Sequence, residues 1–331
     1  MSDCLVIGGG IIGMLTAREL AMAGMRVALL ERRQTGKESS WAGGGILSPL
    51  YPWRYAPSVT ALASWSQAHY QKLSETLATD TGIDPEWTGN GLLILSADEE
   101  KTALAWGEAH GRRISDVTAA EVARLEPALS QPAAGIWLPD VAQIRNPRLV
   151  KALHRDLVQR RVLIREGVEV SGILARNGRV SGVSSNQGNI QASHLVLCAG
   201  AWSGRLLADT GLELAVEPVR GQMILFRTRA GTLTRITLSG DRYAIPRRDG
   251  RVLFGSTLEN TGFDQRTTVA AGEQLRALAT QMFACLDRFP VELHWAGLRP
   301  GSPRGIPFIG PHPQIEGLYV NAGHFRNGVV L

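Results

Sequence analysis

The feature that most constrains this chain is the run Gly8-Gly9-Gly10-Ile11-Ile12-Gly13, between an apolar segment, Asp3 to Ile7, and a longer one, Ile11 to Ala23. The first segment reads as a short buried strand and the second as a helix. A second strand is expected over Arg26 to Leu30, with Glu31 at its end, eighteen residues past Gly13. In such a strand-turn-helix-strand unit Gly8 permits the tight turn, Gly10 lets the backbone approach a pyrophosphate, and Gly13 lets the helix pack on the sheet. The helix start offers free N–H groups and a partial positive charge. A carboxylate at Glu31 suits the two hydroxyls of an adenosine ribose and repels a 2′-phosphate. The bland alternative is a glycine turn with an incidental Glu, and the context argues against it. The pattern alone does not separate NAD from FAD.

Two further stretches narrow the choice. Ser39-Ser40-Trp41-Ala42-Gly43-Gly44-Gly45-Ile46 places three glycines after two serines, as if the chain were pressed against a flat or phosphorylated ligand. A flexible surface loop is the plainer reading of that composition. His194 to Ser203 is another strand running into a glycine turn, far from the first unit. A chain that leaves a dinucleotide fold and returns to it is more typical of flavoproteins than of contiguous NAD domains. Between these ends, helices are expected over Ser58 to Leu77, after a Thr118/Glu121 capping box, from Asn146-Pro147 to about Arg160, and over Thr268 to Leu286. Short strands are expected between Val162 and Cys198, with a hairpin at Asn177-Gly178, and again at Met223 to Arg227, Arg242 to Arg247, Arg251 to Ser256 and Gly317 to Ala322. Arg248-Asp249-Gly250 reads as a tight turn.

Composition excludes some classes. The chain has 331 residues with 35 basic and 30 acidic side chains, but the arginines occur as scattered pairs, so no nucleic-acid partner is expected. Arg18-Glu19 and the glycines break the apolar stretch from Leu5 to Met25, so no stable membrane insertion is expected. Cys4, Cys198 and Cys285 form no CxxC pair, which argues against a metal cage and fits a reducing cytoplasm.

Read in order, "VIGGGIIG", "ERRQTGKESSWAGGGILSPLYPW", "LVLCAGAWSG", "PVRGQM", "YAIPRRDGRVLFGSTLE", "HWAGLRPGSPRGIPFIG" and "GHFRNG" span essentially the whole chain. In these stretches it resembles the glycine oxidase branch of the D-amino acid oxidase-like flavoprotein family. The resemblance implies an α/β protein, α+β overall: a Rossmann-like FAD-binding domain with an inserted, mostly antiparallel β-sheet substrate domain. We expect residues 1–85, 146–217 and 297–331 in the first and residues 86–145 and 218–296 in the second. The implied cofactor is FAD, held by Gly8, Gly10, Ile11, Ile12, Gly13, Glu31, Arg32, Ser39, Ser40, Gly44, Gly45, Ile46, Val170 and the segment His324-Phe325-Arg326-Asn327-Gly328-Val329-Val330. Tyr243, Arg299 and Arg326 match residues around an amino acid substrate. Asp241, Ile46 and Leu258 depart from residues the family can carry there, which leaves the substrate range less defined than the cofactor.

The reaction so implied removes a hydride from Cα of glycine, sarcosine or a small D-amino acid, and O2 is reduced to H2O2. In many bacteria this branch serves thiamine biosynthesis, in the cytoplasm, and the resemblance implies a homo-oligomer, tetrameric in form. An arginine is the residue for a substrate carboxylate, since its planar fork gives two parallel bonds. Arg299, read as lying in a turn stiffened by Pro300, and Arg326 are both candidates, and the resemblance favours Arg299. The Tyr243 hydroxyl is placed for the same carboxylate. His324 is expected to contact the flavin through its backbone rather than act as a base, and the other histidines are given no role. The rivals are a quinone-linked D-amino acid or sarcosine dehydrogenase of the same fold, a non-catalytic FAD-binding protein and, least fitting, an NAD dehydrogenase. Since Val329-Val330-Leu331 is apolar, a further C-terminal helix is expected in a full-length form.

Overall fold

The computed structural model describes residues 2–95 and 98–331; residue 1 of the first expected domain and residues 96–97 of the second lie outside them. Apolar residues at every position of β1 (Cys4–Ile7) and at the first four of β2 (Val27–Glu31) make strands buried on both faces, as a parallel sheet requires. They pair in parallel, and Glu31 closes β2 rather than following it. The intervening helix α1 (Ile11–Met22) starts at Gly10 and buries Met14 and Ala17 against the sheet.

Around this unit a six-stranded sheet is ordered β16 (Phe308–Pro311), β17 (Leu318–Ala322), β10 (His194–Leu197), β1, β2, β6 (Leu163–Glu166). All neighbours are parallel except β16 with β17. Alternate residues face opposite cores. Val6 and Leu29 pack on α1, on α3 (Pro57–Thr81) and on α6 (Asn146–Gln159). Leu5, Ile7 and Leu30 pack on the three-stranded sheet β7 (Val170–Arg176), β8 (Arg179–Ser185) and β9 (Ile190–Gln191). The β7–β8 turn has positive φ at Asn177 and Gly178, the geometry of the expected hairpin.

The second large sheet has eight strands: β15 (Val291–Gly301), β11 (Glu217–Arg227), β14 (Arg251–Gly255), β13 (Arg242–Pro246), β12 (Ile236–Ser239), β3 (Leu92–Leu95), β5 (Gly135–Leu138) and β4 (Ser115–Val117). It is antiparallel except where β12 meets β3. Helix α5 (Ala119–Leu125) carries the expected capping box at Thr118 and Glu121, and α4 (Glu100–Ala109) and α8 (Val269–Met282) complete the long helices. The expected helix from Thr268 to Leu286 ends at Met282; Phe283 leaves helical geometry, and a separate 3-10 turn follows at Ala284–Arg288.

Two expectations change. Arg299 is not in a turn: β15 runs unbroken through Leu298, Arg299 and Pro300, opposite Arg220, Val219 and Pro218 of β11. Proline is tolerated there because β15 is an edge strand and Pro300 needs no second partner. Strand β11 is also longer than Met223 to Arg227, and β11 and β15 cross residues 217–218 and 297, where the domain limits are expected.

Candidate active site

The two sheets meet along one cleft of about 360 Å³. One end is lined by Glu31, Arg32, Val170 and Trp202, the middle by Gly8, Gly10, Ile12, Ser39 and Ser40, and the other end by Gly44, Tyr243, Arg299, His324, Phe325, Arg326, Gly328 and Val329. Residues that sequence spacing scatters from Gly8 to Val329 therefore share one groove.

At the first end, Glu31 Oε2 accepts the Gly9 amide (2.8 Å) and Oε1 the Arg33 amide (2.9 Å), which fixes the carboxylate in the buried turn. The Arg32 guanidinium is paired to Glu38 (2.6 Å) and lies over the Trp202 ring at 3.6 Å. Trp202 and Glu38 had no role assigned from sequence. A two-residue match such as Arg32 over Trp202 leaves no local pattern, because the partners come from the residue just after β2 and from the turn after β10. In the middle, the Ser39–Ala42 segment is the short helix α2, not a flexible loop. Ser40 Oγ accepts the Ile11 amide at 2.9 Å, so the serine reaches the very start of α1.

At the other end Arg299 is held from β15 across β11. Its Nη2 donates to Ser256 Oγ (2.6 Å) and its Nη1 to the Thr257 carbonyl (3.2 Å). The guanidinium lies on Gly221, where an added Cβ would sit 2.1 Å from Nη1. Burial lowers its basicity from the ordinary guanidinium value, which Tyr243 partly restores. Behind it Thr257 donates to Glu259, which also pairs with the buried Arg220 (2.5 Å) and accepts Gln222 Nε2 (2.9 Å). Tyr243 is buried, its hydroxyl 3.9 Å from Met223 Sδ. Gly44 lies against that ring: a Cβ there would be 3.1 Å from Tyr243 Cε2. The Gly44 carbonyl accepts the buried Arg247 (2.7 Å), which also binds Gln143 (2.6 Å) and is pushed down to about 10 by its burial. Ser256, Thr257, Gly221 and Arg247 were thus missed as site residues. Only the stretches "PVRGQM" and "YAIPRRDGRVLFGSTLE" signalled them, and neither shows which side chain points inward.

His324 is buried, and burial pushes its imidazole down to about 4. Arg326 reaches the cleft but pairs with Asp241 (3.0 Å), one of the positions that departs from the family pattern. Ile11, Gly13, Gly45, Ile46, Asn327 and Val330 do not line the cleft. Ile11 and Val330 point into the core packed under α1, and Ile46 into the core of the eight-stranded sheet. Gly13 supports the turn, where any Cβ would strike the Gly8 carbonyl at 1.8 Å. Gly45 has φ of +78° and packs on the Ile144 carbonyl, and Asn327 is buried beneath the last turn.

The groove fits a long, flat, anionic ligand. It has a fixed carboxylate at one end, a helix start in the middle and a glycine-floored pocket at the other, and the buried Asn321 Oδ1 on its wall has no partner within the described residues. The same groove ends on the half-buried guanidinium of Arg299, so a small carboxylate can lie beside the flat part of that ligand. Among the described residues no helix is long and apolar enough to cross a membrane, and no His/Cys/Asp/Glu group is arranged to hold a metal.

Comparison with known proteins agrees with this geometry. The FAD dependent oxidoreductase family model matches residues 3–331. The chain is 51% identical to a protein of Pseudomonas aeruginosa called glycine oxidase, over 99% of this chain and 90% of that one. It is 33% identical to the bifunctional protein ThiO/ThiG of Synechocystis, over 100% of this chain and 50% of that one. The crystal structure of glycine oxidase from Geobacillus kaustophilus superposes with a TM-score of 0.95 at 30% identity, covering 100% of this chain and 91% of that one.

Proposed function

The chain belongs to the FAD dependent oxidoreductase family, in its glycine oxidase branch, and on that premise we propose that it deaminates glycine oxidatively, along with sarcosine and small D-amino acids. The single observation that carries the substrate class is the half-buried Arg299 at the end of the cofactor groove, which bonds to Ser256 and Thr257 and, among the described residues, is paired to no acidic side chain. Held in this groove, FAD would supply the two-electron oxidation of the substrate Cα–H bond, with O2 reduced to H2O2. The substrate imine then takes up water to give a 2-oxo acid and ammonia, or methylamine from sarcosine.

In this reading the protein positions and desolvates the substrate. Glu31 holds the ribose hydroxyls, and Gly8, Gly10 and the serines Ser39 and Ser40 flank the diphosphate. Gly44, Gly45 and the 324–330 segment shape the flavin end. Arg299 binds the substrate carboxylate as a fork, with Ser256 and Thr257 keeping the fork in plane. Tyr243 closes the pocket and supplies a hydroxyl to the same carboxylate. His324 is a poor base at neutral pH, because its burial favours the neutral ring and weakens its hold on a proton. A substrate amine that binds neutral needs no protein base. The limits given above for the FAD-binding and substrate domains belong to the proposal, with β11 and β15 shared between them. So do a cytoplasmic location, a homo-oligomer and a link to thiamine biosynthesis, the last supported by the likeness to the ThiO half of a bifunctional protein.

The test is a flavin spectrum. Protein reconstituted with FAD is mixed with glycine under argon and then in air. Bleaching under argon followed by H2O2 release in air is the expected result. Bleaching that dyes reverse but O2 does not favours the quinone-linked dehydrogenase, and bound FAD that glycine never bleaches favours a non-catalytic binder.

A further inference from the structure

Residues 256–268 join β14 to α8, and this connection serves both ends of the groove. Its first residues, Ser256 and Thr257, hold the Arg299 fork. Further along, the Phe263 ring packs on Trp202, with 5.3 Å between ring centroids, and the Arg205 guanidinium lies over the Phe263 ring at 3.7 Å. Gln265 Nε2 donates to Glu38 Oε2 (2.5 Å), the carboxylate whose other oxygen pairs with Arg32. Trp202, Arg205, Glu38 and Arg32 all line the cofactor groove. One short connection therefore reaches the substrate end and the cofactor end at once.

The connection is gathered around Arg220 of β11, whose side chain is only 6% exposed. Arg220 Nε and Nη2 donate to one oxygen of Glu259 (3.1 and 2.5 Å). Its Nη1 donates to the Arg266 carbonyl (2.9 Å) and faces Asp264 (3.2 Å). Arg220 and Glu259 also exchange backbone bonds in both directions, each 2.9 Å. The other Glu259 oxygen accepts the Thr257 hydroxyl and Gln222 Nε2 (2.9 Å). The Thr257 carbonyl then accepts Arg299 Nη1 (3.2 Å). A chain of bonds from Arg220 through Glu259 and Thr257 thus ends on the guanidinium that faces the substrate. Burying an ion pair costs about what its attraction returns, so its net contribution to stability is small and its contribution to geometry is the larger one. A planar fork donates in fixed directions, so the groups around it admit few other arrangements.

We propose that Arg220 is a positioning residue for both ends of the groove: through Glu259 and Thr257 it sets the angle of the Arg299 fork, and through Asp264 and the Arg266 carbonyl it holds Phe263 and Gln265 on the cofactor wall. The proposal rests on the reading of Arg299 given above and deepens it. Arg220 touches neither substrate nor flavin in this account, so no step of the reaction changes. The consequence is that substrate affinity and cofactor affinity are set together. A change at one buried arginine loosens both, although the two ends are lined by different elements.

The test uses Arg220→Lys and Thr257→Val, alone and together, in FAD-loaded protein. Arg220→Lys keeps the buried charge but replaces the fork by a single ammonium. It should raise the glycine KM about tenfold with kcat within about twofold of the parent, and raise the FAD dissociation constant severalfold by fluorescence titration. Thr257→Val should raise the glycine KM to a similar extent, and the double variant no further, because both changes break one chain. Gln265→Ala should weaken FAD as Arg220→Lys does, and FAD held as tightly as in the parent would overturn the cofactor half. An Arg220 that only stabilises the connection would lower the melting temperature and leave KM and FAD affinity at parent values, or give KM increases that multiply in the double variant. Either result overturns the proposal. Should Arg220→Lys fail to fold, Glu259→Gln, which interrupts the same chain, takes its place in the cycle with the same expectation for KM, and Gln265→Ala decides the cofactor half. If glycine does not bleach the flavin, the oxidase reading fails, and the substrate half is decided by acetate as the probe. Perturbation of the flavin spectrum at about tenfold higher acetate in Arg220→Lys and in Thr257→Val than in the parent upholds it; equal titration, or none in the parent, rejects it.

Discussion

At the scale of single residues, the two ends of the groove rest on charged groups that have been taken out of water by different means. Glu31 spends one bond from each oxygen on backbone amides of its own turn and keeps its remaining lone pairs toward the groove. Glu31→Gln should therefore weaken FAD binding by roughly 1–3 kcal/mol, the worth of charged hydrogen bonds; a variant that retains FAD as tightly as the parent, by fluorescence titration, would remove the residue from the cofactor site. Arg299 is the reverse case, a half-buried cation whose hydrogen-bond partners among the described residues are the neutral oxygens of Ser256 and Thr257. It is short of an anion, and a substrate carboxylate supplies one. Arg299→Ala should cost roughly 2–5 kcal/mol in kcat/KM, mostly as raised KM because the contact exists before and during the reaction. Unchanged glycine kinetics would exclude the clamp.

At the scale of elements, the site depends on strands that carry few side chains. Gly221 on β11 gives Arg299 its bed. Gly221→Ala should push the guanidinium off Ser256, raising KM for glycine about tenfold or more while FAD absorbance stays at the parent level; a KM within twofold of the parent would mean the fork can shift freely. The same elements explain what was readable beforehand. The β1–α1–β2 unit, the Thr118 cap and the Asn177-Gly178 hairpin were legible because each is a local pattern with one physical cause: continuous apolar runs around a glycine turn, a cap pair, or positive φ. Strand β15 was not. Gly297, Pro300 and Gly301 have the composition of a turn, and only the register against β11, set by residues some eighty positions earlier, makes them a strand. Likewise Leu92–Leu95 is a short apolar run whose parallel partner, Ile236–Ser239, lies in a distant part of the chain. The cofactor end was legible from sequence because its residues cluster around two turns. The substrate end was legible only through the family resemblance, because Tyr243, Arg299 and Arg326 come from β13, β15 and the last turn.

At the scale of the whole molecule, burial of His324 couples the flavin end to overall stability. Its folded-state pKa of about 4 lies below the ordinary 6.5. The unfolded chain therefore binds the proton first, so the stability contributed by the neutral ring is complete above pH 6.5 and is lost as pH falls toward 4. In FAD-free protein this should remove roughly 3 kcal/mol across that window. Urea midpoints followed from pH 7 to 4 should show the fall, and His324→Asn should flatten it; an equally steep fall in the variant would assign acid sensitivity elsewhere. The order of the six-stranded sheet has a consequence of another kind. β1 lies between β2 and β10, and its pairing with β10 joins residues about 190 positions apart. At roughly 5–20 residues per second, a ribosome needs on the order of 10–40 s to reach that partner. Throughout that interval the nascent chain carries the glycine turn and an open, fully apolar strand edge, so its yield in a cell is set by how well that edge is shielded during translation.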